Sequence, residues 1–492
     1  MKKIKILIIL VLFLVIALFP ISKVGSSYQD PKLEIISYYI QNQTHLDYQP
    51  NQVVVNFYEK EQHFLNYLKD TYQFEVMFLY QTTYKITFNN SYTTLMVLNI
   101  LNSYPEIKHA EPNYLLTPIA SPTTEPNYHN QWAFTDQNYG INIHSVWNET
   151  LGSRQVVVAV IDTGIDYNHI DLKDNIWTNT NESINGKDDD GNGYIDDYYG
   201  WNFGDNNNNP IDTYGHGTFV AGIIASKVNN IGIAGTAPNV RVMALRVSNN
   251  EDKIFLSNVA KAINYALDKN VRIINISLIS TGTSVELENL IKNANALFIC
   301  GAGNDAQNNN NNPVYPANYN FNNVIAVAAI NSSGNLASFS NYGSNTIDLA
   351  APGVTIISTA LNNNFGFSAG TSFATPYVSG VAALILSQNP TLSSSELKQR
   401  INKSTKFITS QQNKTITEGI LNARGAFFYL RGDINGDKQV NIGDLILLRR
   451  YLAGLQNIDY SLHANADITN NSDINIGDLI RLRRYLAGLG DL

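Results

Sequence analysis

The chain has one cysteine, Cys300, and a single thiol cannot close an intrachain disulfide. Stability outside a cell must then come from packing or from bound metal. Charge is scarce too. Asp, Glu, Lys and Arg make up 15% of the 492 residues, and the formal balance is −8. That balance argues against nucleic acid as a partner and favours cations. The apolar run Ile6–Ile21 is short for a membrane span. What is present is ordinary globular material. Hydrophobic residues make up 44%, and the length allows about two to four domains.

Lys2, Lys3 and Lys5 precede the apolar run, and Gly25, Ser26 and Ser27 follow it. Residues 1–26 therefore read as a secretory signal, against the alternative of an uncleaved anchor. Removal predicts a secreted, extracellular or cell-surface protein with no stable membrane insertion. Residues 28–117 carry a small α+β pattern, with strands at Val53–Phe57 and Tyr84–Phe88 and helices near Glu59–Tyr72 and Tyr92–Leu101. A Pro-rich linker, Thr117–Tyr128, follows.

Residues 126–430 alternate strand and helix patterns, which predicts an α/β fold with a mostly parallel sheet. Gln155–Ile161 is a continuous apolar strand, as expected where both faces are covered. Asp162 follows at its carboxyl end, where such sheets place ligands. His216 lies in Gly215-His216-Gly217-Thr218 and opens an apolar helix. Ser372 lies in Gly370-Thr371-Ser372 and opens another, where helix N–H groups favour a developing negative charge. Alone, each has a bland reading as a cap or loop residue. Together they supply a nucleophile, a base and an orienting acid, the set that acyl transfer needs.

Asp162-Thr163-Gly164, His216-Gly217-Thr218 and Gly370-Thr371-Ser372-Phe373-Ala374-Thr375-Pro376 resemble the three signatures of the subtilisin-like serine proteases, in that family's order. The resemblance implies a three-layer α/β sandwich and hydrolysis of protein or peptide substrates by Asp162, His216 and Ser372. It also implies an oxyanion-stabilising amide at Asn304. Residues 28–117 resemble the family's ferredoxin-like propeptide, cut within Tyr114–Pro126. Substrate would pair as an extended strand with Arg246–Asp252 and with Ser277, Leu278 and Ile279, while Gly301, Ala302 and Gly303 wall the main pocket. Tyr315-Pro316 matches a position often held cis. Some residues depart from the pattern. Ile279 and Ser280 replace glycines, Phe373 replaces a methionine, and Phe219 and Tyr377 replace histidines.

Oxygen donors recur at alternate positions in Asp188–Asp197, with glycines for the turns. That suits Ca²⁺, with Asp188, Asp190, Asn192 and Asp197 as side-chain ligands, against the alternative of a solvated acidic loop. Asp205–Asn209 resembles a family calcium loop with amides in place of acids. Asp171 with Asn229–Ile233 resembles another, one residue short.

Residues 431–492 repeat themselves: Asn441–Leu455 returns as Asn475–Leu489. Before each helix lies a loop in the EF-hand rhythm. The first offers Asp433, Asn435, Asp437, Asn441 and Asp444. The second offers Asp467, Thr469, Asn471, Asn475 and Asp478. With one helix per loop, the pair resembles a dockerin, an all-α calcium-folded module that binds a cohesin domain on a scaffold or cell-surface protein. A rival reading is a catalytically silent dockerin-borne adhesion or scaffold subunit.

Overall fold

The computed structural model describes residues 48–114, 121–437, 439–458, 462–469, 473–490 and 492. The expected signal segment and Asn471 lie outside the described residues. The chain divides into two compact units, Met1–Ile119 and Ala120–Leu492.

In the first unit, β1 (Tyr48–Phe57) leads to a helix at Gln62–Tyr72, then β2 (Glu75–Tyr80) and β3 (Thr83–Thr87). A second helix, Thr94–Asn102, leads to β4 (Ile107–Tyr114). The sheet order is β2-β3-β1-β4 with every pair antiparallel, the ferredoxin-like arrangement. Val53, Val55 and Phe57 alternate onto the helices and meet Leu65, Leu68, Val97 and Leu101. Two strands escape the periodicity argument. β2 lies at the sheet edge with Met77, Phe78, Leu79 and Tyr80 exposed, so no inward face marks it. β4 carries His109, Glu111 and Pro112, which dilute its pattern.

The second unit is built on a sheet that has, among the described residues, nine strands. These are β5 (Val157–Asp162), β6 (Gly200–Asn202), β7 (Arg241–Arg246), β8 (Ile273–Ile276), β9 (Leu297–Gly301), β10 (Val324–Ile330) and β11 (Leu349–Pro352), with β14 (Lys406–Phe407) and β15 (Gly419–Ile420) at one edge. The order is β14-β15-β11-β10-β9-β8-β5-β7-β6, and every pairing is parallel except β14 with β15. A separate hairpin pairs β12 (Ile356–Ala360) with β13 (Asn364–Ser368).

Both faces of the sheet are covered. Val158 and Val160 pack with helices His216–Ala225 and Thr371–Gln388 on one side. Ala159 and Ile161 pack with helices Leu256–Asp268 and Val285–Asn293 on the other. This is the expected three-layer sandwich. Toward the carboxyl terminus, helices Ile442–Leu452 and Ile476–Leu486 share a small core through Leu448, Leu482, Ile434 and Ile468.

The His216 helix lies unusually close to β12. Ser358 Oγ donates to the Phe219 carbonyl and Thr359 Oγ1 to the Thr218 carbonyl, each at 2.7 Å. A Cβ at Gly222 would sit 2.2 Å from Thr359 Oγ1 and 2.4 Å from Ser358 Oγ. Gly222→Ala is therefore expected to cost about 1–3 kcal/mol by overpacking. Thermal unfolding of the inhibited protein reads this. An unchanged midpoint would show that the helix and strand tolerate separation.

Candidate active site

Adjacent parallel strands deliver the site residues from their carboxyl ends. Asp162 ends β5, Ser277 follows β8, and Gly301 ends β9. The His216 helix is fastened to the end of β5 by a buried polar knot. Asp212 Oδ1 accepts from Thr163 Oγ1 at 3.0 Å, and Asp212 Oδ2 accepts from the Thr218 amide at 2.9 Å. Thr163 Oγ1 in turn accepts from the Gly217 amide at 2.9 Å. A Cβ on Gly217 would fall 2.1 Å from the Gly164 carbonyl oxygen, so only glycine permits this approach.

The result is a 2.7 Å hydrogen bond between Asp162 Oδ1 and His216 Nδ1. Asp162 is fully buried, and the His216 side chain is 22% exposed. Burial lowers the His216 pKa, but the Asp162 charge, its hydrogen bond and the charge of Asp212 outweigh that and raise it above 6.5.

Ser372 sits in the first turn of helix Thr371–Gln388, where backbone N–H groups lack intrahelical acceptors. Its hydroxyl donates to the Ser277 carbonyl at 3.3 Å. Among the described contacts no hydrogen bond joins it to His216, so rotation about χ1 must precede proton transfer between them. The Ser372 carbonyl accepts from Ser277 Oγ at 2.9 Å. Ser277 Oγ accepts from Asn275 Nδ2 at 3.0 Å, and Asn275 Oδ1 from Ser379 Oγ at 2.8 Å. Asn275 and Ser379, both buried, belong to no motif of the sequence. A polar residue inside the apolar run of β8 was the available signal.

Asn304 Oδ1 accepts from the Thr371 amide at 2.9 Å and from Thr371 Oγ1 at 3.0 Å. With its oxygen held there, the amide nitrogen is turned the other way. Thr371 Oγ1 also accepts from the Gly303 amide at 3.2 Å, which ties the pocket wall to the Ser372 turn.

Leu278 and Ile279 line a 290 Å³ cavity that Leu256, Val259 and Leu287 close from the two neighbouring helices, with Tyr315 and the cis residue Pro316. Ile279 is 43% exposed. Its Cδ1 would lie 3.4 Å from a Cβ at Gly303, so the branched side chain reaches across toward the opposite wall. Phe373 and Phe219 pack together, ring centroids 4.5 Å apart, and Phe373 lies 5.3 Å from the His216 ring. The two departures from the family pattern thus form one aromatic wall beside the base.

Of the residues expected in the acidic loop, Asp190 and Asp197 converge, joined by Glu182. Glu182, Asp190 and Asp197 present carboxylate oxygens within 4.8 Å of one another. Asp188 instead turns onto the Asn192 and Gly193 amides. Asn192 offers Asp197 its nitrogen, not its oxygen. Glu182 is only 4% exposed, and its Oε2 has no hydrogen-bond partner among the described residues, an orphaned buried oxygen that a cation would satisfy. Lys269 Nζ lies 2.8 Å from Asp190 and supplies positive charge from one side.

In the repeat module, Asp444 and Asp478 are fully buried. Asp444 accepts from the Ile434, Asn435 and Asn441 amides. Asp478 accepts from the Thr469 and Asn475 amides. No ion pair with Lys or Arg reaches either one among the described residues. Buried carboxylates in oxygen-rich loops without a basic partner fit a cation.

Residues 153–429 match the model of the subtilase family, and residues 431–487 match that of the dockerin type I domain. A thermophilic serine proteinase from Bacillus sp. (strain AK1) is 38% identical over 296 residues, 59% of this chain and 66% of that protein. Thermitase from Thermoactinomyces vulgaris is 37% identical over 262 residues, 52% of this chain and 84% of thermitase. A solved protease from Pseudoalteromonas arctica PAMC 21717 superposes with a TM-score of 0.51 at 31% identity, covering 62% of this chain and 98% of that one. The chain spans just under two thirds of the Bacillus relative's length. With more than half of its residues matched by the family model and the Asp162–His216 pair joined at the sheet's carboxyl edge, the chain belongs to the subtilase family.

Proposed function

We propose that this protein is a secreted, calcium-binding serine endopeptidase, made as a zymogen and anchored through a dockerin to a cohesin domain. The observation that carries the catalytic reading is the buried Asp162–His216 hydrogen bond, with Ser372 in the first turn of a helix and the next residue, Phe373, 5.3 Å from the His216 ring. Ser372 Oγ attacks the peptide carbonyl carbon while His216 Nε2 takes the hydroxyl proton. Asp162 holds the imidazole and stabilises its charged form. The oxyanion is met by Asn304 Nδ2 and the Ser372 N–H. The C–N bond then breaks, and His216 returns the proton to the leaving amine. Water repeats the sequence on the acyl-enzyme.

Substrate pairs as an added strand along Ser277–Ile279, with its cleaved-position side chain between that segment and Gly301–Gly303. Residues 28–117 act as the propeptide. Calcium is held in the two dockerin loops by Asp433, Asn435, Asp437, Asn441 and Asp444, and by Asp467, Thr469, Asn471, Asn475 and Asp478. A further ion belongs at Glu182, Asp190 and Asp197. Such an ion supplies charge compensation and folding free energy.

One contact favours the silent-scaffold reading: the Ser372 hydroxyl rests on the Ser277 carbonyl. Maturation separates the two readings. The wild-type chain should be cut between the two units, whereas purified Ser372→Ala should accumulate as the full precursor. Cutting of purified Ser372→Ala at the same place would refute self-processing.

The acid limb of the kcat/KM profile reports His216, because only the neutral imidazole accepts the serine proton. Its raised pKa places that limb above pH 6.5, with activity lost as pH falls through it. Asp162→Asn should lower kcat/KM by ~10⁴-fold and move the residual limb to lower pH, since burial then acts without the Asp162 charge. A wild-type limb below pH 6.5 would contradict the assignment.

Ile279→Gly should broaden the residues accepted at the cleaved position toward larger side chains, read with a peptide library. An unchanged profile would show that Ile279 swings clear of bound substrate.

A further inference from the structure

The loop Asn229–Ile233, which with Asp171 resembles a calcium loop in sequence, turns its backbone amides onto a carboxylate from another part of the chain. Glu125 lies roughly a hundred residues earlier and is 3% exposed. Its Oε1 accepts from the amides of Asn229 at 2.6 Å and Asn230 at 2.7 Å. Its Oε2 accepts from the amides of Ile231 and Gly232, both at 3.1 Å. Four consecutive N–H groups thus close around one carboxylate, a backbone nest of the kind that binds anions. The left-handed φ of +62° at Asn230 turns them inward. A Cβ on Gly232 would strike Phe365 Cζ at 2.1 Å and Asp171 Oδ2 at 2.6 Å, so the loop cannot swell there.

The contacts on either side are of one design. Thr124 Oγ1 donates to Asn230 Oδ1 at 2.7 Å, and the Asn127 amide to the Gly232 carbonyl at 2.9 Å. The Gln131 side chain both donates to and accepts from the Ala234 backbone. Asp171, the expected ligand, accepts from the Ile233 amide at 3.1 Å. Burial first, and the Glu125 charge among lesser causes, push its carboxyl up to about 6. No Lys or Arg forms an ion pair with Glu125 or Asp171 among the described residues. The positive ends of four amide dipoles face the Glu125 carboxylate and compensate its charge without a cation, and Asp171 Oδ1 is left buried with no hydrogen-bond partner among the described residues.

We propose that Glu125 is a metal-free latch: its carboxylate occupies the place of the loop cation and fastens the amino-terminal segment of the peptidase unit to the fold. Maturation, on the zymogen reading above, must therefore cut before Glu125 and keep it in the active protein. This narrows the window Tyr114–Pro126 from its carboxyl side, because a cut after Glu125 would leave the nest empty.

Two measurements test the latch separately from the zymogen reading. The mature wild-type protein is sequenced from its amino terminus. A start at or before Glu125 supports the proposal, and a start at Pro126 or later overturns it. If no processed form exists, the zymogen reading fails, and the second arm alone decides the latch. In that arm, hydrogen exchange is followed in the full-length Ser372→Ala chain over 229–234. Calcium is buffered to levels at which β8 stays protected. Glu125→Gln should speed exchange of the 229–232 amides roughly ten- to a hundredfold, the range for losing charge-assisted bonds. The Glu125-containing chain should be protected equally at low and high calcium. Exchange unaffected by Glu125→Gln, or protection that appears only as calcium is added, would overturn the latch. Should Glu125→Gln fail to accumulate, Glu125→Asp, one methylene shorter, is read in the same way.

Discussion

The 2.7 Å hydrogen bond between Asp162 and His216 is the constraint on which the site depends. It joins the end of a strand to the start of a helix 54 residues later, so neither element can shift alone. A buried carboxylate is costly unless it is paired, and here the pairing doubles as orientation. The knot of Thr163, Asp212, Gly217 and Thr218 holds the two backbones close enough for the bond to form. Gly222 against β12 lets the same helix settle from its other side. Helix placement, strand order and imidazole orientation are thus one problem with one solution.

Ser372 is held by a second, independent network. Ser379, Asn275 and Ser277 lead to the Ser372 backbone through buried hydrogen bonds. Thr371 and Asn304 fix the turn just before it. Side chains locked by such contacts are pre-organised, which suits a site that must stabilise charge without rearranging. The exposed Ile279 and the Phe219–Phe373 wall lie outside these networks. These side chains can therefore vary without disturbing the networks that hold Asp162, His216 and Ser372.

The α/β architecture was legible because Val156–Ile161 and Val324–Ala328 are apolar throughout, as strands covered on both faces must be. Helix Val285–Asn293 and the start of the Ser372 helix followed from periodicity and from Gly370. Strands β2, β12 and β13 were not legible, since none carries a buried alternating face with polar flanks. The triad residues could be named because each sits at an element end within two residues of a glycine. The acidic loop was harder. Alternate oxygen donors mark a loop that can bind a cation, but not which donors converge. Asp188 spends its oxygens on backbone amides, and Glu182 enters from outside the motif. Glu125 carries no local signature at all, because its partners are set by tertiary structure alone.

The most direct test of the account is covalent labelling by a fluorophosphonate, which phosphonylates a serine hydroxyl only when a neighbouring base removes its proton. The labelled mature protein is digested and the adduct located by mass spectrometry. The account predicts one stoichiometric adduct on Ser372, lost in His216→Ala with the fold intact. A folded, propeptide-free protein that takes up no label at Ser372 would contradict the central claim.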